Sequence, residues 1–423
     1  MPRRSSAGPT FVLAAALCSL VLLAGCGGSE GGGGPGVNLN WFVATQPGGT
    51  IQEVAARCSQ ESDGRYTINV ELLPTDASQQ REQLVRRLGA EDSSVDLIGM
   101  DVIWTAEFAN AGWLLEFTGD EAEQVTKDIF DSVIETASFE GKLYGAPFNS
   151  NTQLLWYRTD QVEEPPQTWD EMIKQAEDLG MFVQVQANRY EGFTVLVNAL
   201  IESAGGQILS GPEEVSLEEA PTDEALTVLG TLARSSAAAP NLETSNEDSA
   251  RLGFEAGDSA FMLNYTFAYA SAGANAPDIQ KNMGAALYPR VTEDQPAKPP
   301  LGGFNIGVGA FTDNPEEAFD AAACVSNADS QLTAVELDGL PPSNESLYED
   351  PKVKKAYPGF SGDIKRSIEN AGPRPLTPAY TDLSLAIQRT LHPPADIDPA
   401  DPTPTYDDLR EAVEDAVKRE GLL

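Results

Sequence analysis

The chain has 423 residues and carries 65 acidic against 27 basic side chains, a formal net charge of −38. A field of that sign repels phosphate backbones and anionic lipid, and it excludes nucleic-acid binding, whose affinity rests on Lys and Arg neutralising phosphates. The single histidine, His392, precedes two prolines and supports neither a histidine triad nor a two-histidine metal site; no phosphate-cradling GxxxxGK[ST] occurs, and no cofactor or metal is expected.

In chain order, Arg3 and Arg4 precede a thirteen-residue apolar run from Phe11 to Leu23. That run is shorter than the roughly 20 residues a spanning helix needs, and the small residues after it mark a cleavage site, so residues 1–25 read as a secretory leader. Loss of Arg3 and Arg4 with it takes the charge to about −40. Leu23-Ala24-Gly25-Cys26 resembles the lipobox of bacterial lipoproteins, which implies a lipid on Cys26 as the first mature residue. The alternatives are an ordinary thiol at Cys26 or a signal anchor over 11–25. Residues 26–37 are almost pure glycine after the cysteine, a composition that gives a flexible tether. A domain held at the outer face of a cell membrane is the simplest outcome.

Past the tether the sequence alternates. Asn38–Ala44 reads as a strand, and Thr50 with Glu53 as a capping box. Ile51, Val54, Ala55 and Cys58 then share one helical face. Tyr66–Leu73 is a second strand, Gln79–Leu88 a second helix and Val95–Asp101 a third strand. Such a βαβαβ run predicts a parallel sheet wrapped by helices, whose ligands bind beyond the carboxyl ends of the strands. Asp101 and, after the first strand, Gln46 lie at such ends.

A helix with Trp104, Phe108 and Trp113 follows, the two tryptophans reading as core, and then a helix over Asp128–Ala137. Thr152–Tyr157 reads as a strand after a polar interruption at Asn149–Asn151, where the chain first crosses to a second lobe. Thr168 with Glu171 starts another helix, Phe182–Gln186 is a short strand, and Glu191 sits in the loop before an apolar helix over Gly192–Ala204. Further helices lie near Asp223–Ala233 and Glu247–Ala256. Leu301-Gly302-Gly303-Phe304-Asn305 leads back into a strand, Ile306–Phe311. A helix capped by Asn314, with Pro315 first, carries Cys324, and a last helix is opened by Thr405 and Asp408 and closed by Gly421. Cys58 and Cys324 remain as an even pair in an oxidising compartment and are expected to form a disulfide; two buried free thiols are the alternative.

Phe254-Glu255-Ala256-Gly257-Asp258-Ser259-Ala260-Phe261-Met262, followed by Tyr265 and Phe267, resembles the signature of the sugar-binding group of ATP-driven importers that includes maltose-binding proteins. DVIWTAEFANAGW from Asp101, YGAPFNSNTQLLWYR from Tyr144 and LGGFN from Leu301 match the group in kind and order. Val102–Trp113, Asn151–Arg158, Gln184–Asn188, Ser249–Glu255 and the Arg374 segment RPLTP are further similar to trehalose-importer lipoproteins of mycobacteria. The resemblance implies an α/β, two-lobed periplasmic-binding-protein-like fold of type II, with parallel-rich sheets wrapped by helices and a hinge between the lobes. Lobe 1 would comprise 38–147 plus 304–350 and lobe 2 148–303 plus 351–423. It implies a monomer that captures a disaccharide, trehalose, and delivers it to a membrane permease with a cytoplasmic ATPase. Tyr265 stands where those lipoproteins have tryptophan, which leaves maltose or a glycerol phosphodiester open as ligands.

A sugar presents hydroxyls at its rim and apolar C–H faces, so its site needs polar rim groups and aromatic platforms. Asp101, Asn151 and Arg374 are candidate rim groups. Asp101 could instead cap the helix near Trp104, Asn151 close a turn, and Arg374 form a surface ion pair. Tyr265 and Phe267 are candidate platforms or, two apart in one strand, core residues on a shared face. Gly303, by resemblance, offers backbone to the ligand; Glu191 and Gln46 are weaker candidates. A secreted glycosidase built on a carboxyl pair such as Asp101 and Glu107 is the competing reading, but so many acidic residues make some such pair inevitable.

Overall fold

β2 (Tyr66–Leu73) alternates polar and apolar residues, β1 (Val37–Ala44) does so up to Trp41 and is then apolar and buried throughout, and the two pair in parallel from Val37↔Tyr66 to Ala44↔Leu73. β3 (Leu97–Asp101) joins the other edge of β1, also in parallel. These features come from a computed structural model that describes residues 36–74 and 77–418. The leader, Cys26, the glycine tether up to residue 35 and Gly421 lie outside the described residues.

The helix Thr50–Glu61 covers these strands with Ile51, Val54, Ala55 and Cys58 buried, as the spacing requires. Its start differs from the expected capping box. Asp338, 288 positions from Thr50, accepts from the Thr50 amide (3.1 Å) and from the Gly48 amide, so a distant carboxylate takes the amide that Glu53 was expected to serve, while the Glu53 amide donates to the Gly49 carbonyl at 3.2 Å.

A small hairpin of β4 (Ser138–Phe139) and β5 (Lys142–Leu143) precedes β6 (Ala146–Arg158), and β7 (Phe182–Gln184), β8 (Ser259–Tyr265), β9 (Met283–Ala286), β10 (Pro300–Val308) and β11 (Gly372–Pro373) follow. The main sheet runs β2-β1-β3-β10-β6-β8-β7, with β11 beside β10 and β9 beside β6. It is parallel at its two flanks and antiparallel where β10 and β6 run through its middle. The interruption expected at Asn149–Asn151 is absent: β6 passes through it without a break. Pairing with β10 holds Asn149, Ser150 and Asn151 as strand, although Asn149 Oδ1 and Ser150 Oγ are buried without a hydrogen-bond partner among the described residues. The next residues find tertiary partners, Thr152 with Ser367 at 2.9 Å and Gln153 with Gln186 at 2.8 Å, and such context overrides local strand preference.

Two lobes share these long strands. Around the β1 flank pack Leu39, Trp41, Val54, Ile306 and Ala322; around the β8 flank pack Leu155, Phe193, Leu229, Phe261 and Leu409. A third cluster joins Phe130 and Tyr348 to Trp156, Phe254 and Phe360. Trp104 and Trp113 are core, packed with Phe108. The helix expected over Asp128–Ala137 is the shorter Asp131–Thr136, and a further helix, Gly119–Thr126, precedes it, the two parted at Asp128, whose φ is +59°. Pro315 opens its helix, but the Asn314 side chain makes no cap. The last described helix begins at Thr403 and buries Tyr406, Leu409, Val413 and Val417.

Cys58 and Cys324 form a disulfide that ties the helix Thr50–Glu61 to the helix Pro315–Ser326. The bridge closes a separation of 266 positions, and cross-linking so long a loop restricts the unfolded chain. The Cys58→Ser/Cys324→Ser double variant is therefore expected to lose about 2 to 4 kcal/mol, measured by urea unfolding; an unchanged midpoint and slope would contradict that role.

Candidate functional site

The register of β10 creates the site. One edge of β10 pairs with β6, and along the other it changes partner: Phe304–Val308 pair with β3, whereas Pro300 and Leu301 pair with β11. β3 ends at Asp101 opposite Phe304, and β11 ends at Pro373 opposite Leu301. Asp101 and Arg374 are thus brought face to face beside Gly302 and Gly303, with 3.5 Å between Arg374 Nη2 and Asp101 Oδ1. A Cβ built on Gly302 would lie 3.8 Å from Asn151 Cβ and 3.9 Å from Arg374 Nη2, which puts Asn151 in the same group. Gly303 has φ +134° and its absent Cβ would fall 2.1 Å from the Asn149 carbonyl; only glycine fits this position.

Glu191 completes the group from the other flank. It is the first residue of the helix Glu191–Ser203, not a loop residue, and its Oε1 accepts from Arg374 Nη1 at 2.7 Å. Arg374 is buried, with 8% of its side chain exposed, while Asp101 and Glu191 keep 26% and 34%. The surface ion pair considered for Arg374 is accordingly replaced by a buried one. Burial opposes the Arg374 charge, but the Tyr380 oxygen, Asp101 and Glu191 outweigh it and hold the group charged well above its ordinary range. Burial pushes the Asp101 carboxyl up, with Arg374 and the Ile103 amide pulling it back. Asp101 also caps the short turn Val102–Trp104 through the Ile103 amide at 3.2 Å, as the capping alternative expected. Arg374 Nε is buried without a hydrogen-bond partner among the described residues.

Tyr265 ends β8 and pairs across the strands with Gln153. Burial and the Glu247 charge push its phenol up, so it stays protonated. The signature Phe254–Met262 is the end of the helix Glu247–Ala256, its stop at Gly257 and the start of β8, which aims Tyr265 at this region. Phe267 does not share the strand: it opens the helix Phe267–Asn275 and is 36% exposed. No hydrogen bond or ring contact joins Phe267 or Gln46 to the network among the described residues, and Gln46 is half-buried in the turn after β1. The carboxyl pair of the glycosidase reading is divided, because Glu107 is bound by Arg81 Nε at 2.7 Å while Asp101 faces Arg374. His392 contacts the Glu243 carbonyl at 3.0 Å, away from these residues.

Sequence reasoning missed Tyr380 and Ser384, which both donate to Glu191, Ser384 Oγ at 2.6 Å. Their spacing of four on one helix face was visible, but nothing in the sequence says what that face meets. It also missed a cavity of about 630 Å³ lined by Glu135, Phe139, Asn198, Glu202 and the segment around Arg374. Glu202 lies tight under Gly372, where a Cβ would come within 1.4 Å of its Oε2. Burial pushes the Glu202 carboxyl up to about 8, against the pull of Lys298 and Asn198 and with the help of Glu135.

Residues 53–360 match the family model described as bacterial extracellular solute-binding protein. A probable ABC transporter-binding protein of Deinococcus radiodurans is 28% identical over 345 residues, covering 77% of this chain and 81% of that protein. Among solved structures, maltose-bound MalE3 of T. maritima aligns with a TM-score of 0.76 at 24% identity over 90% of this chain and 99% of that one. The GacH receptor of Streptomyces glaucescens, solved unliganded and with acarbose, aligns with a TM-score of 0.77 at 20% identity over 91% and 100%. At these identities the structures speak for the fold. No described helix is long and apolar enough to cross a membrane.

The state of Glu202 gives a pH dependence. Its carboxyl holds a proton up to about pH 8 when folded, against an ordinary value of 4.5. Between those values the folded state binds more protons than the unfolded one, so this contribution to stability falls as pH rises. Glu202→Gln is expected to flatten that slope in melting temperature between about pH 4.5 and 8 and to be the more stable form at the upper end. An identical slope in the variant would contradict the assignment.

Proposed function

Because this chain belongs to the bacterial extracellular solute-binding proteins, we propose that it captures a neutral disaccharide, trehalose, between its two lobes for delivery to an ABC permease. The observation that carries this reading is the group Asp101–Arg374–Glu191 at the gap in the β10 edge, where one buried guanidinium meets two carboxylates. Sugar hydroxyls both donate and accept, so they can bridge such a set without bringing charge. A phosphodiester would add a negative charge beside two carboxylates, and it is disfavoured on that ground. Asn151 and the backbone at Gly303 complete the polar rim, and Tyr265 supplies an aromatic platform. Trehalose rather than maltose rests on the likeness of QVQAN, SARLGFE and RPLTP to the mycobacterial lipoproteins.

Capture works through a hinge. The lobes, 38–147 plus 304–350 and 148–303 plus 351–423, are joined by β6 and β10, and a ligand that touches both favours the closed form by its differential affinity. Asp101 stands at the end of β3, while Glu191 rides on a helix of the opposite core, so a bound sugar meets both sides. A lipid on Cys26 and the glycine tether would hold the domain near its permease.

Calorimetry on protein lacking residues 1–26 should give heat with trehalose. Asp101→Asn and Arg374→Lys keep side-chain volume but remove a charge or the planar fork; each is expected to weaken binding at least tenfold, about 1.5 kcal/mol or more for hydrogen bonds to charged groups. Heat with maltose or a glycerol phosphodiester and none with trehalose would overturn the ligand, and unchanged affinity in both variants would remove the site. Release of monosaccharide from trehalose would favour the glycosidase reading instead.

A further inference from the structure

We propose that Tyr380 and Ser384 are positioning residues for ligand capture, holding Glu191 and through it the Arg374 guanidinium in the orientation that the ligand meets. Tyr380, Ser384 and Gln388 are four apart on the helix Tyr380–Leu391 and so share one face. All three are buried, as is Thr194 on the facing helix. The phenol of Tyr380 donates to Glu191 Oε1, and Ser384 Oγ donates to Glu191 Oε2 at 2.6 Å. With Arg374 Nη1 on Oε1 at 2.7 Å, both carboxylate oxygens are fixed.

The direction of the protons follows from counting them. An ionised carboxylate only accepts, and serine has one hydroxyl hydrogen, so Ser384 spends it on Glu191. Its oxygen must then accept, from Gln388 Nε2 at 2.9 Å and from Thr194 Oγ1 at 2.8 Å; Thr194 Oγ1 also lies 3.3 Å from the Ser384 carbonyl, which shares its one hydrogen. Thr194 Oγ1 in turn accepts from Gln388 Nε2 at 3.4 Å. The chain runs one way, from Gln388 through Thr194 and Ser384 to Glu191. Hydrogen bonds in such a chain polarise one another, and the last ones end on a charge, where they are strongest.

Every member but Glu191 is shut away from the cleft by burial, so the chain acts on a ligand only through Glu191 and Arg374. Glu191 could swing about its side-chain torsions if left at a helix start with 34% of its side chain exposed. Holding it removes that freedom before the ligand arrives, which is preorganisation. The proposal rests on the reading of Arg374 as a ligand contact.

The test is calorimetry with trehalose, and with maltose in parallel, on wild type, Ser384→Ala, Tyr380→Phe, Glu191→Gln, Arg374→Lys, Ser384→Thr and the Ser384→Ala/Glu191→Gln double variant. Ser384→Ala and Tyr380→Phe are each expected to weaken binding about five- to tenfold, less than the loss of a direct hydrogen bond to a charged group, because they reach the ligand only through Glu191. Ser384→Thr, which keeps the hydroxyl, should restore wild-type affinity. The double variant should be no weaker than Glu191→Gln alone, a coupling that a merely structural role would not produce. An equal loss from Ser384→Ala in both backgrounds, or no loss at all while Arg374→Lys does weaken binding, overturns the positioning role. No heat with either sugar, or full affinity in Arg374→Lys, overturns the functional reading and this proposal with it.

Discussion

The buried guanidinium of Arg374 governs the middle of this molecule. Taking a charge out of water is costly unless it is paired and hydrogen-bonded, and Arg374 is paired twice, with Asp101 at the end of β3 and with Glu191 at the start of a helix on the opposite flank. Three segments far apart in sequence must therefore stay in register for the pairing to hold. The partner change along β10 makes room for it, and the glycine at 303 lets the backbone pass close to β6.

β6 and β10 run through the middle of the main sheet, and the aromatic cluster of Phe130, Tyr348, Trp156 and Phe360 is distinct from the cores at its two flanks. The polar pairs around Arg374 and this apolar cluster are separate sets of contacts, so the first can be altered by substitution without dissolving the second.

Much of the fold was legible in the sequence because it depends on local pattern. The alternation of β2, that of β1 up to Trp41 and the buried face Ile51, Val54, Ala55 and Cys58 follow from periodicity, and Asp101 was placed at a strand end by the order of elements alone. What failed was set by distant partners. The cap of the first helix comes from Asp338, and the polar run Asn149–Thr152 is strand because its backbone pairs with β10 and Thr152 meets Ser367. Phe267 was misplaced by reading β8 two residues too long. Of the site, Asp101, Arg374, Glu191, Asn151 and Gly303 were named as candidates and the structure brings them together. Tyr380 and Ser384 were not named, because a serine four residues after a tyrosine is unremarkable until the opposite helix is known.

The central claim is that the space beside Asp101, Arg374 and Glu191 is where a neutral disaccharide is held. A crystal structure of the protein with trehalose tests it most directly. The account predicts sugar hydroxyls within hydrogen-bonding distance of Arg374 and of at least one of the two carboxylates, with both lobes in contact. Sugar bound elsewhere, with the Asp101–Arg374–Glu191 group untouched, would contradict it.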